Sequence, residues 1–369
     1  MSSSEVLFLL LRAAIHGEVP EVLPEGVDWC AVRELAERQG VEAIAADGLQ
    51  RLLEARPEWG RELDEPENEA VKYDWFGQTF WLEEQYAKYC SAMASLAHFY
   101  NERGFKMMIL KGYACGLNYP VPAHRPYGDI DIWQFGRQIE ADAALNREAG
   151  IRIDNSHHHH TVFFWKGKMV ENHYDLINIY HHRSSRDLES LFKQLAADDT
   201  FRAEVCGETV YLPSPNLHAL FLLKHTAGHF ASSEIMIRHL LDWALFVKAY
   251  SRQIDWQWLE NVVERFGMTG IFRCFIEICM EDLGFDAGLF SECPSACNAD
   301  ALSVKNRVLA EILSPEFPQE EPKYLVSRII WKFRRWKANE WKHRLCYKES
   351  MGSAFWSGVW LHLKKPSSI

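Results

Sequence analysis

Apolar residues recur at a helical period over 5–16, 29–39 and 41–54, and again over a long stretch from 69 to 103, so the chain is predicted to open as helices. Gly104 ends the last of these. The period then changes. Residues 105–110 form an apolar run short enough for a buried strand. Lys111-Gly112 follows, leading into a helical segment over 113–119 that Pro120 stops. Residues 128–133 read as a further strand. Residues 161–165 and 168–176 flank the turn Lys166-Gly167 as a hairpin, and 202–212 predict another that turns at Gly207. After Pro213-Ser214-Pro215 the helical period returns over 216–230, 234–250, 256–266 and 269–283. The fold class is therefore α+β. A helical region spans 1–104, a mixed sheet core 105–213, a helical domain 214–312 and a C-terminal helical segment 313–369, with no internal repeat.

The chemistry gathers in the sheet core. In Gly128-Asp129-Ile130-Asp131-Ile132-Trp133, positions i and i+2 of a strand share a face, so Asp129 and Asp131 stand side by side. Like charges at that spacing repel, and capture of a cation relieves them. Hard oxygen donors favour Mg2+ or Mn2+. A strand, the glycine of Lys111-Gly112 and a helix start form a phosphate cradle in outline. A two-metal site calls for a further carboxylate, and Glu171 supplies it, on one face with His173 and Asp175. Paired acids also occur on exposed strand edges. The glycine turn before this pair and the acidic strand after it distinguish it.

The order Leu-Lys-Gly, helix, Tyr-Pro, a lone Arg, Gly-Asp-Ile-Asp-Ile and a strand carrying Glu-x-His resembles the uncharacterised bacterial nucleotidyltransferases of the DNA polymerase beta superfamily. The resemblance extends over about residues 90–260, through Arg238-His239-Leu240-Leu241-Asp242-Trp243-Ala244 and Ile254-Asp255-Trp256. It implies a nucleotidyltransferase-like mixed sheet between helical regions. It also implies metal-dependent transfer of a nucleoside monophosphate from an NTP such as ATP to an acceptor hydroxyl. Asp129 and Asp131 match its metal-binding pair, Glu171 its third carboxylate and Gly112 its phosphate turn. Many members have Gly-Ser where this chain has Lys111-Gly112, so Lys111 substitutes charge for a hydroxyl donor. A non-catalytic nucleotide-binding or scaffold module on the same fold is the alternative.

Arg125 and Lys224 complete the candidate nucleotide-binding set with Lys111 and Gly112. The prolines of 121–127 exclude helix and make a rigid loop that delivers Arg125 near the paired acids. An Arg there grips phosphate bidentately or pairs with an acid. Lys224 sits on an apolar helix and needs an anionic partner. Of His157 to His160, at most two converge on one ion if they lie in a strand, and His173, His181 and His182 follow. These histidines are expected to line a pocket. His225 and His229 have i, i+4 spacing but no third ligand in view, which argues against a zinc site or a histidine-based phosphohydrolase.

Composition narrows the partners. Hydrophobic residues at 48% and charged residues at 25% are ordinary for a globular chain. A formal charge of -11 argues against broad nucleic-acid binding, whereas a nucleotide needs only a local basic pocket. The nine cysteines include no C-x-x-C pair and read as reduced thiols, which with no targeting segment or membrane span predicts a cytoplasmic protein. Residues 323–348 interleave Lys and Arg with Trp331, Phe333, Trp336 and Trp341. The expectation is a terminal helix that buries its aromatics and solvates its charges. Peripheral contact with a membrane or a partner is the other reading.

Overall fold

A computed structural model describes residues 1–22, 25–180, 182–198, 200–293, 302–317 and 322–364. His181 and Cys297 lie outside the described residues. Helices α1 (Ser3–His16), α2 (Trp29–Arg38) and α3 (Glu42–Ala55) follow the apolar period. Ser2 caps α1 by accepting from the Glu5 N–H, and the Glu5 carboxylate accepts from the Ser2 N–H. α1 and α3 cross at Gly48, where a Cβ would stand 1.9 Å from the Leu10 carbonyl oxygen. Only glycine allows that approach.

After the single turn α4 (Gly60–Leu63), α5 (Pro66–Asn101) runs for 36 residues. Its first half buries Trp75 with the N-terminal helices. Its second half buries Tyr89, Met93, Leu96 and Tyr100 behind the sheet. Phe80 and Trp81 are 70% and 54% exposed. They fall where the helix passes from one core to the other, and its outer side meets solvent.

The sheet has six strands in the order β3-β4-β2-β1-β6-β5. These are β1 (Met108–Ile109), β2 (Ile130–Trp133), β3 (His160–Trp165), β4 (Lys168–His173), β5 (Thr200–Val205) and β6 (Glu208–Pro213). Both expected hairpins form, β3 with β4 and β5 with β6. The pairings β2–β4 and β1–β6 are parallel, and β1–β2 is antiparallel. The strand expected over 105–110 shrinks to two residues, flanked by the bonds Tyr211 N–H to the Met107 carbonyl and Leu110 N–H to the Asp131 carbonyl. The helix expected over 113–119 shrinks to one turn, α6 (Tyr113–Gly116). Within 121–127 a 3-10 turn forms at Pro122–His124, against expectation. Proline stands at its first position, where the missing N–H costs nothing.

Alternation sorts the sheet into two faces. Ile109, Ile130, Ile132, Phe163 and Val170 face back onto α5 and α7 (Gln138–Ala149). Asp142 of α7 accepts from Thr161 at 2.7 Å and from Asn172 at 2.8 Å, which locks that helix to β3 and β4. Met108, Leu110 and Trp133 belong to the front core. That core also takes in α8 (Arg183–Asp198), α9 (Pro215–Ser232), α10 (Ile237–Tyr250), α11 (Trp256–Arg265) and α12 (Thr269–Glu277), and it is continuous with α1 to α3. A π turn, Ile278–Asp282, prolongs α12. Beyond it come α13 (Leu302–Leu313), α14 (Leu325–Ala338), α15 (Glu340–Cys346) and α16 (Met351–Lys364). Helices α7 and α8 lie outside the predicted elements, whereas α13 and α16 fall in regions predicted to be helical. No described helix is long and apolar enough to cross a membrane.

Candidate functional site

Strand register builds the site. β2 and β4 pair in parallel with Asp131 opposite Glu171 and Trp133 opposite His173, and β3 sets His160 opposite His173. Asp131, Glu171, His173 and His160 therefore leave the sheet on its front face. Asp129, one residue before β2, lines the same cavity. Asp175 does not join them. β4 ends at His173, and Asp175 pairs with Lys193 of α8.

Asp131 is the buried centre, 2% exposed, and one of its oxygens receives both the Lys111 ammonium at 2.8 Å and His173 Nε2 at 3.1 Å. Burial would raise its pKa, but the two cations outweigh burial and hold the carboxyl well below the usual range. Burial also opposes the charge on His173, yet the Asp131 and Glu171 carboxylates prevail and raise its pKa to about 9. His173 Nδ1 donates to the Asp175 carbonyl at 3.1 Å. Asp129 shifts the other way, raised by burial and by the neighbouring Asp131. Asp131, Glu171 and His173 offer ligand atoms within 4.8 Å of one another, as do His159, His160 and His173. Asp131 and Glu171 with His173, and Asp129 on the cavity wall beside them, supply donors of the kind that fit a divalent cation.

These groups form one wall of a cavity of about 1010 Å³. Of the histidines expected to line a pocket, His159, His160, His173 and His182 line this cavity and His157 and His158 do not, while His225, His229, His239 and His343 join it. Burial pushes the pKa values of His159, His160 and His239 down to about 3, 4 and 3, so these rings are neutral. Lys224 also lines the cavity. Its ammonium lies 3.8 Å from the centre of the Tyr347 ring, and burial lowers its pKa to about 8.

A family described as uncharacterised nucleotidyltransferase matches residues 25–284, more than half of the chain. The chain belongs to that family. No curated protein and no solved structure matches significantly. The match exceeds the stretch that carries the sequence resemblance, and it takes in the N-terminal helices from α2 onward. It leaves α13 to α16 outside.

Two expected phosphate ligands of this nucleotidyltransferase are placed elsewhere. Arg125 is buried and donates bidentately to Asp242 of α10, at 2.8 and 2.7 Å, and Asp242 also accepts from the Tyr119 hydroxyl at 2.8 Å. Asp242 thus takes Arg125 out of the cavity. Gly112 does not line the cavity either. At φ +56° it passes beneath Tyr89, whose hydroxyl would lie 2.5 Å from a Cβ at that position. The Tyr89 hydroxyl donates to the Asp129 carbonyl at 3.3 Å, so this close packing positions the paired acids.

Arg238 is the cation that sequence reasoning missed. It opens α10 and faces the cavity, and its buried Nε has no hydrogen-bond partner among the described residues. Its only signal was its place in the Arg238 to Asp242 stretch. The C-terminal segment departs from expectation as well. α14 and α15 break at Asn339, and Trp331, Trp336, Lys332 and Arg335 line the cavity rather than forming a buried stripe beneath solvated charge. Lys342 is buried against Glu311.

The nucleotidyltransferase should lose stability in alkali through His173. Its folded pKa of about 9 exceeds the ordinary 6.5, so its paired charge stabilises fully below pH 6.5 and is lost as pH rises through 9. Buried Lys224, lowered from 10.5 to about 8, works in the opposite sense above pH 8. The informative quantity is the difference between wild type and His173→Gln in urea unfolding. That difference should shrink from pH 6.5 to 9, and a constant difference would refute the ion pair.

Proposed function

We propose that this chain transfers a nucleoside monophosphate from a nucleoside triphosphate to an acceptor hydroxyl. One observation carries the reading: Asp129 and Glu171, with Asp131 buried behind them, line a cavity with Arg238, whose guanidinium donates to the Pro126 carbonyl at 3.2 Å but whose buried Nε is unmatched among the described residues. Buried donors are rarely left unpaired, and phosphate oxygens suit a guanidinium. Asp129, Asp131 and Glu171 would hold Mg2+ or Mn2+. Such ions, when bound, lower the pKa of the acceptor hydroxyl and offset phosphate charge.

The protein's own groups do the rest. Lys111 and His173 hold Asp131 ionised and fixed in place. Arg238 and Lys224 bind triphosphate oxygens and stabilise the departing pyrophosphate. Trp331 and Trp336 offer ring faces on the α14 side, with Lys332 and Arg335 beside them, and this side receives the acceptor. A non-catalytic nucleotide-binding module remains the second reading, favoured by the two cations that already occupy Asp131.

Calorimetric titration of ATP, GTP, CTP and UTP with and without Mg2+ tests the nucleotide site. Binding should require Mg2+, and Arg238→Ala should weaken it by about 10- to 100-fold, the worth of charge-assisted hydrogen bonds. No triphosphate binding, or binding indifferent to Mg2+, would overturn the reading. Mg2+-dependent pyrophosphate release separates transfer from binding alone.

A further inference from the structure

A second group of donors borders the carboxylates, and it is made of nitrogen. His159, His160 and His173 offer ligand atoms within 4.8 Å of one another, with ring centres 4.4, 5.5 and 5.2 Å apart for 159–160, 159–173 and 160–173. His159 precedes β3, and its carbonyl accepts from the Tyr174 and Asp175 N–H groups at 3.0 and 3.1 Å. That bend before the strand lets two consecutive rings turn toward β4, which a regular strand would forbid.

Three further details point to an ion rather than to packing. The Nδ1 atoms of His159 and His160 are buried without a hydrogen-bond partner, and His160 is only 8% exposed. His173 donates from Nδ1 to the Asp175 carbonyl, the outer-shell bond that orients a metal-bound imidazole, and its Nε2, which pairs with Asp131 at 3.1 Å, becomes the ligand atom when an ion displaces its proton. Glu171 lies between two rings, its oxygens 3.7 Å from His160 Nε2 and 3.6 Å from His173 Nε2. Those gaps are too long for hydrogen bonds. They lie close to the roughly 3.3–3.4 Å separating two ligands of one ion at metal–ligand distances near 2.0–2.1 Å.

We propose that His159, His160 and His173 form a binding site for a divalent transition-metal ion, with the Glu171 carboxylate beside two of its rings, distinct in donor chemistry from the all-oxygen set of Asp129, Asp131 and Glu171. Three imidazoles favour Zn2+, Mn2+, Fe2+ or Co2+ over Mg2+. The site goes beyond the transferase reading, since no nucleotide is needed to form it. His173 also touches Asp131 and Glu171, so a transition ion here would lie against the carboxylates and act as a Lewis acid at the same cavity wall.

Zn2+ is the probe. The full chain, purified without a polyhistidine tag and stripped with chelator, is titrated calorimetrically with Zn2+ and with Mg2+ in the absence of nucleotide. Wild type should bind one Zn2+ at this site more tightly than Mg2+. His159→Gln and His160→Gln should each weaken it by about 100-fold, and exposed His157→Gln should not change it. X-ray absorption of Zn2+-loaded wild type reads the ligand shell without any substitution, so a variant that fails to fold does not spoil the test. Three imidazole nitrogens are expected there. An all-oxygen shell, or Zn2+ binding indifferent to both substitutions in folded protein, would overturn the site. Either result leaves Mg2+-dependent triphosphate binding to stand or fall separately.

Discussion

Asp129→Asn should cut Mg2+-dependent pyrophosphate release by about 1,000-fold or more, the several kcal/mol that a metal-held charge contributes, while the fold survives. Asp129 is half-buried, and its pKa is raised by burial and by Asp131. Neutralising it removes a repulsion and leaves the paired cations in place. Asp131→Asn should also abolish transfer, for mixed reasons. It strips the partner from two buried cations, Lys111 and His173, at a cost of about 3–5 kcal/mol in stability. The cleaner comparison is therefore Asp129→Asn, with thermal unfolding measured on the same sample. Pyrophosphate release can be followed with water or a simple polyol as acceptor. Release within tenfold of wild type in folded Asp129→Asn would sink the assignment of that carboxylate.

The next largest effect should come from Arg125, and it should appear in stability. Arg125→Ala leaves Asp242 buried with the Tyr119 hydroxyl as its remaining hydrogen-bond donor among the described residues and Arg238 nearby, and removing one partner of a buried pair costs about 3–5 kcal/mol. Arg125→Lys should recover little, because one ammonium cannot reproduce a two-point bond to both carboxylate oxygens. Arg125→Met with Asp242→Leu should be far more stable than either single change, since the uncompensated charge is gone. Urea unfolding measures all of these. A loss below about 1 kcal/mol in Arg125→Ala, accompanied by weakened triphosphate binding, would return Arg125 to the phosphate site.

Local pattern made much of this molecule legible. Period-two alternation and two-residue turns are short-range properties, so both hairpins and the strand bearing Asp131 could be read directly, as could the helices on either side. The paired acids were legible for the same reason: residues two apart in a strand share a face whatever surrounds them. Glu171 required one further step, a partner strand of the right kind. The parallel register that sets it opposite Asp131 is a tertiary fact.

Choices between chemically equal candidates were beyond local pattern. Helical spacing puts Arg238, four residues before it on α10, beside Asp242, yet Arg125 takes that carboxylate. That depends on a contact across 117 positions of sequence. Asp175 shares the alternation of Glu171 and His173, yet the strand ends before it and Lys193 of a neighbouring helix claims it. The tryptophans of the C-terminal segment could have lined a core or a cavity, and the break at Asn339 turned α14 toward the cavity. The sequence by itself determined the elements and the carboxylate pair, because backbone preference and side-chain period act over a few residues. Tertiary structure alone decided which charges are spent on each other and which face the cavity, because a buried charge is satisfied by whichever partner folding brings within reach.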